Sequence, residues 1–143
     1  MSYDPDNIFA KILRGELPCI RIYEDEATLA FMDIMPQADG HVLVIPKEPA
    51  ETLLELSEEA ARACIATTRR IAVAVRQALG QPGVYVAQMN GAAAGQTVPH
   101  CHFHVIPRAP GVPLRGHGSE RADPAKLEAI AAQIRSRLQD GGA

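Results

Sequence analysis

At 143 residues, 47% of them apolar and 22% charged, the chain is long enough to bury one substantial core and lacks the bias of a disordered or fibrous sequence. With 14 basic against 17 acidic side chains the net charge is −3, which excludes the broad positive field that captures nucleic-acid backbones, so no nucleic acid polymer is expected as a partner. The strongly apolar stretches, His41–Pro46 among them, fall far short of the roughly 20 residues that span a bilayer, and Met1–Asp6 shows no basic-then-apolar export signal.

These features set the expectation of one cytoplasmic domain over residues 1–143 with no membrane partner. Asp6 is placed to cap a short first helix through Phe9, Ile12 and Leu13, which Gly15 ends. Cys19–Glu24 alternates apolar and polar, Thr28–Met32 is a second short run, and Gly40–Pro46 is rich in β-branched residues, which predicts three strands. Ser57 then caps a long helix from Glu58 to Leu79, with Gly80 as the stop and an apolar stripe of Ala61, Ile65, Thr68, Ala72, Val75 and Leu79. Val84–Asn90 and His100–Pro107 read as an antiparallel pair joined by the small-residue loop Gly91–Gly95. Pro and Gly crowd residues 109–119 without periodicity, a surface loop, before Asp123 and Pro124 open a last helix that runs to about residue 139 and leaves a frayed Gly-Gly-Ala end. The order of elements predicts an α+β domain, a mostly antiparallel sheet of about five strands with one long and two shorter helices on one face. The three cysteines, Cys19, Cys64 and Cys101, are odd in number and widely spaced, a pattern of free thiols.

The chemistry lies in His100-Cys-His-Phe-His104, where alternation on a strand sends three imidazoles to one face and Cys101, Phe103 and Val105 to the other. Three readings compete: hydrogen-bonded histidines of a half-buried sheet, a three-histidine metal site, and a nucleophile with two flanking rings. Alternate Cα atoms on a strand stand about 6.7 Å apart, so three of them form a line about 13 Å long that converges poorly on one ion. A neutral imidazole needs little activation to attack phosphorus, and the central ring, His102, is the one whose neighbours can position both it and the phosphate oxygens. The carbonyl of His100 is the simplest acceptor to hold its other nitrogen as a donor. Upstream, the Gly91–Gly95 turn can present backbone N–H groups, and Gln96 and Thr97 side-chain donors, to an anion.

Taken whole, Gly95-Gln-Thr-Val-Pro-His-Cys-His-Phe-His-Val-Ile-Pro107 resembles the signature of the histidine triad family, His-φ-His-φ-His-φ-φ. Asn7-Ile-Phe-Ala-Lys-Ile-Leu-Arg-Gly-Glu-Leu-Pro18 and the segment from Phe31 to Lys47 are similar to the nucleotide-binding branch of that family, so that roughly residues 5–108 carry the resemblance and 109–139 form a C-terminal loop and helix. The resemblance implies a compact α+β fold, a homodimer, and a hydrolase that cleaves a nucleoside 5′-phosphoryl group, as in a purine nucleoside phosphoramidate, through a covalent nucleotidyl-histidine. A dinucleoside polyphosphate hydrolase and a nucleotide-binding regulatory protein with incidental turnover are the alternatives.

Carried over by residue, the resemblance makes His102 the nucleophile, His100 and His104 its neighbours around the phosphate, and His41 the fourth histidine that completes the network. It makes Asp33 the acceptor for the ribose hydroxyls, assigns phosphate and leaving-group contacts to Asn90, Gly95, Gln96 and Thr97, and forms the slot for the base from Ile8, Phe9, Ile12, Leu17, Phe31, Ile34 and Leu43. Some bacterial relatives bind structural zinc through a Cys-x-x-Cys pair, but Asn7 and Ala10 stand at those places here, so no metal and no other cofactor is expected. The tryptophan near the C-terminus of eukaryote-like members is also missing, since the chain has no tryptophan.

Overall fold

The computed structural model describes residues 3–116 and 120–141. The expected Gly-Gly-Ala end at 141–143 lies mostly outside the described residues, and α3 extends to Gly141. The elements in chain order are α1 (Ile8–Leu13), β1 (Arg21–Glu24), β2 (Thr28–Met32), β3 (Val42–Pro46), α2 (Glu58–Leu79), β4 (Gly83–Ala87), a single 3₁₀ turn at Ala92–Ala94, β5 (Phe103–Arg108) and α3 (Pro124–Gly141). The five strands form one antiparallel sheet in the order β1-β2-β3-β5-β4.

The helix ends follow from capping chemistry. The Ser57 hydroxyl accepts from the Ala60 amide at 3.1 Å at the start of α2, and Gly80 closes it in the left-handed conformation at φ 63°, its N–H donating to the Arg76 carbonyl. At α1 the cap is Asn7, one residue later than expected: its side-chain oxygen accepts from the Ala10 amide at 2.9 Å, while the Asp4 carboxylate accepts the Asp6 amide.

Because β2 and β3 are central and buried on both sides, their side chains divide between two cores. Ala30, Met32, Val42 and Val44 pack with Cys64, Ile71, Val75 of α2 and Leu127, Ala131, Ile134 of α3, together with Cys101, Phe103 and Val105. On the opposite side Leu29, Phe31, Leu43 and Ile45 pack with Phe9. Each such side chain contributes about 1.5–3 kcal/mol by leaving water. The helices therefore do not share one face: α2 and α3 cover one side, and the short α1 stands on the other, where it leaves space beside the histidines.

The buried stripe of α2 is also rotated from the expected one. Cys64, Thr67, Thr68, Ile71, Ala74 and Val75 face the sheet, while Ile65 is 55% exposed. The Thr67 hydroxyl lies 2.8 Å from that of Thr28 in β2, so this polar residue is buried with its hydrogen bond made, and the small side chains beside it let the helix lie close to the strands.

Candidate active site

The segment before β5 brings His100 and His102 against Phe9 of α1. β5 begins only at Phe103, so His100 and His102 precede the ladder and His104, opposite Leu43 of β3 and Ala87 of β4, lies within it. All three are buried. The ring centroids of His102 and His104 are 5.0 Å apart, and those of His104 and His41 are 5.2 Å apart.

Hydrogen bonds assign the protons. Nδ1 of His102 lies 2.7 Å from the carbonyl oxygen of His100; a carbonyl only accepts, so Nδ1 carries the proton and the lone pair of the neutral ring is on Nε2. The Gln37 amide donates to Nδ1 of His41 at 3.0 Å, which puts the His41 proton on Nε2, 2.9 Å from Nδ1 of His104 and 3.5 Å from the Asp33 carboxylate. A neutral His104 then holds its own proton on Nε2. The Asp33 carboxylate also accepts the Met35 amide at 2.9 Å, which fixes it at the head of the turn that leads to His41.

His100 stands apart from this network. Its Nε2 donates to the Pro46 carbonyl at 2.9 Å and its Nδ1 lies 2.6 Å from the Tyr3 hydroxyl, so both ring nitrogens have protein partners. Burial pushes its pKa below the ordinary histidine value, the Pro46 carbonyl working against that shift and the neighbouring His102 with it, so the ring is held neutral.

Beside His102 and His104 opens a cleft of about 370 Å³ with a mainly apolar lining. Ile8, Phe9, Ile12, Phe31, Asp33, Ile34, Leu43 and Thr97, all named through the family resemblance, line it. Leu17 does not, its side chain being exposed, and Pro18 and Cys19 form the wall instead. Met32, Met35 and Val98 complete the lining; the only signal for them was adjacency to Asp33 and Thr97.

The loop upstream departs most from expectation. The amides of Ala94 and Gln96 donate to Gly91, that of Gly95 to Ala92, and that of Gly91 to the Gln96 side chain, so these donors close the loop on itself. The Gln96 side-chain Nε2 donates to the carbonyls of Glu51 and Val98. Asn90 accepts the Leu53 amide and pairs with Gln88. Gly95, Gln96 and Asn90 thus brace the segment that leads to the triad and do not line the cleft; only Thr97 of this group reaches it.

Two arrangements bear on metal. Asp33, His41 and His104 bring ligand atoms within 4.8 Å of one another, but an ion there would have to displace the His41 Nε2 proton while Nδ1 accepts from Gln37, and imidazole does not give up its last proton readily. At the places of the Cys-x-x-Cys pair, the Asn7 side chain is spent capping α1 and donating to the Asp4 carbonyl, and Ala10 has no ligand atom, so these residues do not fit zinc. No helix among the described residues is long and apolar enough to cross a membrane.

Comparison with known proteins agrees with this geometry. The chain is 37% identical over 134 residues to adenosine 5′-monophosphoramidase hnt1 of Schizosaccharomyces pombe, covering 92% of this chain and 98% of that one. It is 38% identical over 129 residues to adenylylsulfatase HINT3 of Arabidopsis thaliana, covering 90% of this chain and 66% of the relative. The crystal structure of a HIT-like protein from Bartonella henselae superposes with a TM-score of 0.90 at 46% identity, covering 96% of this chain and all of that one. With the family model for the HIT domain matching residues 14–111, the chain belongs to the histidine triad family, nucleotide hydrolases by the names of these relatives.

Proposed function

We propose that the protein hydrolyses a purine nucleoside 5′-phosphoramidate or related nucleotidyl conjugate through a covalent intermediate on His102. The observation that carries this reading is the bond from Nδ1 of His102 to the His100 carbonyl, which places the ring's lone pair on Nε2 beside the cleft. In the first half-reaction Nε2 attacks the α-phosphorus, the bond from phosphorus to the leaving nitrogen breaks, and the departing nitrogen, hydrogen-bonded by the Nε2–H of His104, takes its proton from water. In the second, water attacks phosphorus, the phosphorus–Nε2 bond breaks, and the proton of the attacking water is released to solvent. Two displacements retain configuration at phosphorus.

The base lies between Ile8, Phe9, Ile12, Phe31, Ile34 and Leu43, the ribose hydroxyls donate to Asp33, and Thr97 donates to a phosphoryl oxygen. The name of the fission-yeast relative supports the phosphoramidate substrate. Rates on adenosine phosphoramidate, adenylyl sulfate and a diadenosine polyphosphate, compared on one preparation, rank the leaving groups, with the phosphoramidate expected to be fastest.

The test is a rapid acid-free quench during turnover followed by peptide mass mapping. Wild-type protein should carry a nucleotidyl adduct on His102, and His102→Ala should carry none and lose at least about 1,000-fold in kcat. Turnover by the mutant at the wild-type rate sinks the mechanism. Persistent binding without an adduct would instead make the protein a nucleotide sensor.

We further propose that the protein acts as a homodimer through β4. This strand is an edge with β5 as its one ladder neighbour, and Tyr85 and Val86 are both about half exposed on it.

A further inference from the structure

Tyr3, ahead of α1, meets the histidine cluster. The segment before α1 is held to that helix by the Asn7 side-chain amide donating to the Asp4 carbonyl at 2.7 Å and by Arg14 donating to the Pro5 carbonyl at 2.7 Å. This holds Tyr3 against His100: the rings meet edge to face at 5.6 Å between centroids, and the hydroxyl lies 2.6 Å from Nδ1. Because Nε2 of His100 donates to Pro46, Nδ1 of the neutral ring is an acceptor and the Tyr3 hydroxyl is the donor.

The same residue, His100, supplies through its backbone the carbonyl that holds the proton of His102. Phe9 ties the arrangement together from α1, its ring edge to face with His102 at 5.0 Å and with His100 at 6.4 Å. With the hydroxyl removed, a fully buried ring nitrogen loses its donor, a deficit that is relieved only if the His100 ring shifts, and its backbone carbonyl with it.

We propose that Tyr3 is a positioning residue of the reaction: by donating to Nδ1 of His100 it holds in place the carbonyl that keeps the His102 proton on Nδ1 and the lone pair on Nε2. The inference rests on His102 being the nucleophile, and its consequence is that the rate of the chemical step depends on a residue five positions before the first helix, outside the cleft.

Tyr3→Phe tests it, since the ring and its packing remain and one oxygen is lost. Steady-state kinetics on adenosine phosphoramidate should show kcat lowered roughly five- to tenfold with KM unchanged. Side-chain ¹⁵N spectra of the histidines should show His102 as the Nδ1-protonated tautomer in wild type and a mixture of tautomers in the variant. An unchanged kcat, or a raised KM with kcat intact, would show that Tyr3 only packs against α1 and would overturn the proposal. If the wild-type protein proved to have no nucleotidyl hydrolase activity, the functional reading would fall on that result. The spectra would then decide the link from Tyr3 to the His102 tautomer without it, identical His102 signals in both proteins refuting it.

Discussion

A carbonyl oxygen has no proton to give, and this simple fact makes the histidine cluster readable residue by residue. The Pro46 and His100 carbonyls each force a proton onto the imidazole nitrogen that meets them, and the Gln37 amide forces one off Nδ1 of His41. His100, buried and held neutral, then has a definite effect on stability. Its folded pKa lies below the unfolded value of about 6.5, so its contribution is fully present above that value and is lost as the pH falls through the folded pKa, where the unfolded chain binds a proton that the folded one refuses. The expected outcome is a melting temperature that declines between pH 7 and pH 5, with a shallower decline in His100→Gln, followed by calorimetry across that range. The proposed nucleophile could be named from the sequence because alternation on a strand singles out the middle of three rings. The part played by His100 was not, since nothing in a linear pattern shows that the first ring turns back toward Tyr3 and Pro46.

At the scale of elements, α1 is only six residues long, too short to persist without help from its cap and its packing. Asn7→Ala removes the side-chain oxygen that accepts the Ala10 amide and should cost about 1 kcal/mol in urea unfolding. Because Ile8, Phe9 and Ile12 form one wall of the cleft, the same change should raise KM with little effect on kcat. Long elements with strong ends were legible: Ser57 and Gly80 bound α2 as read, and Thr28–Met32 is a strand from end to end. The misreadings came where local chemistry offers two answers. Asp6 and Asn7 are both capping residues, and the stripes through Ile65 and through Cys64, Thr67 and Ile71 are both apolar enough to face a sheet; the Thr28–Thr67 hydrogen bond, invisible in a helical pattern, accompanies the second. The resemblance assigned Gln96 and Asn90 to phosphate and leaving-group contacts; that their side chains also partner the backbone of Glu51, Val98 and Leu53 was not legible in the sequence.

For the whole molecule, the sheet ends at one side in β1, on which α3 also packs, and at the other in β4, which has no strand beyond it among the described residues. An edge strand with exposed Tyr85 and Val86 presents a row of backbone donors and acceptors to any chain that aligns with it, and a second copy related by twofold symmetry does so antiparallel. Sedimentation velocity should therefore report twice the chain mass for wild type and the single mass for Val86→Glu, whose carboxylate would be buried without a partner in the pair. A wild-type protein that sediments as a monomer at micromolar concentration would remove the proposed dimer.

The turn from Asp33 to His41 is braced from outside by the C-terminal segment, with the Arg115 amide donating to the Gln37 carbonyl and the Ala122 amide to the Ile34 carbonyl. One short bend thus carries the carboxylate proposed to grip the sugar at its head and, in Gln37, the N–H that seats the proton of His41 on Nε2. Sugar recognition and the tautomers of the histidine pair share a single hinge of backbone, and a graft that changed its length would disturb both at once, even with every histidine left in its place.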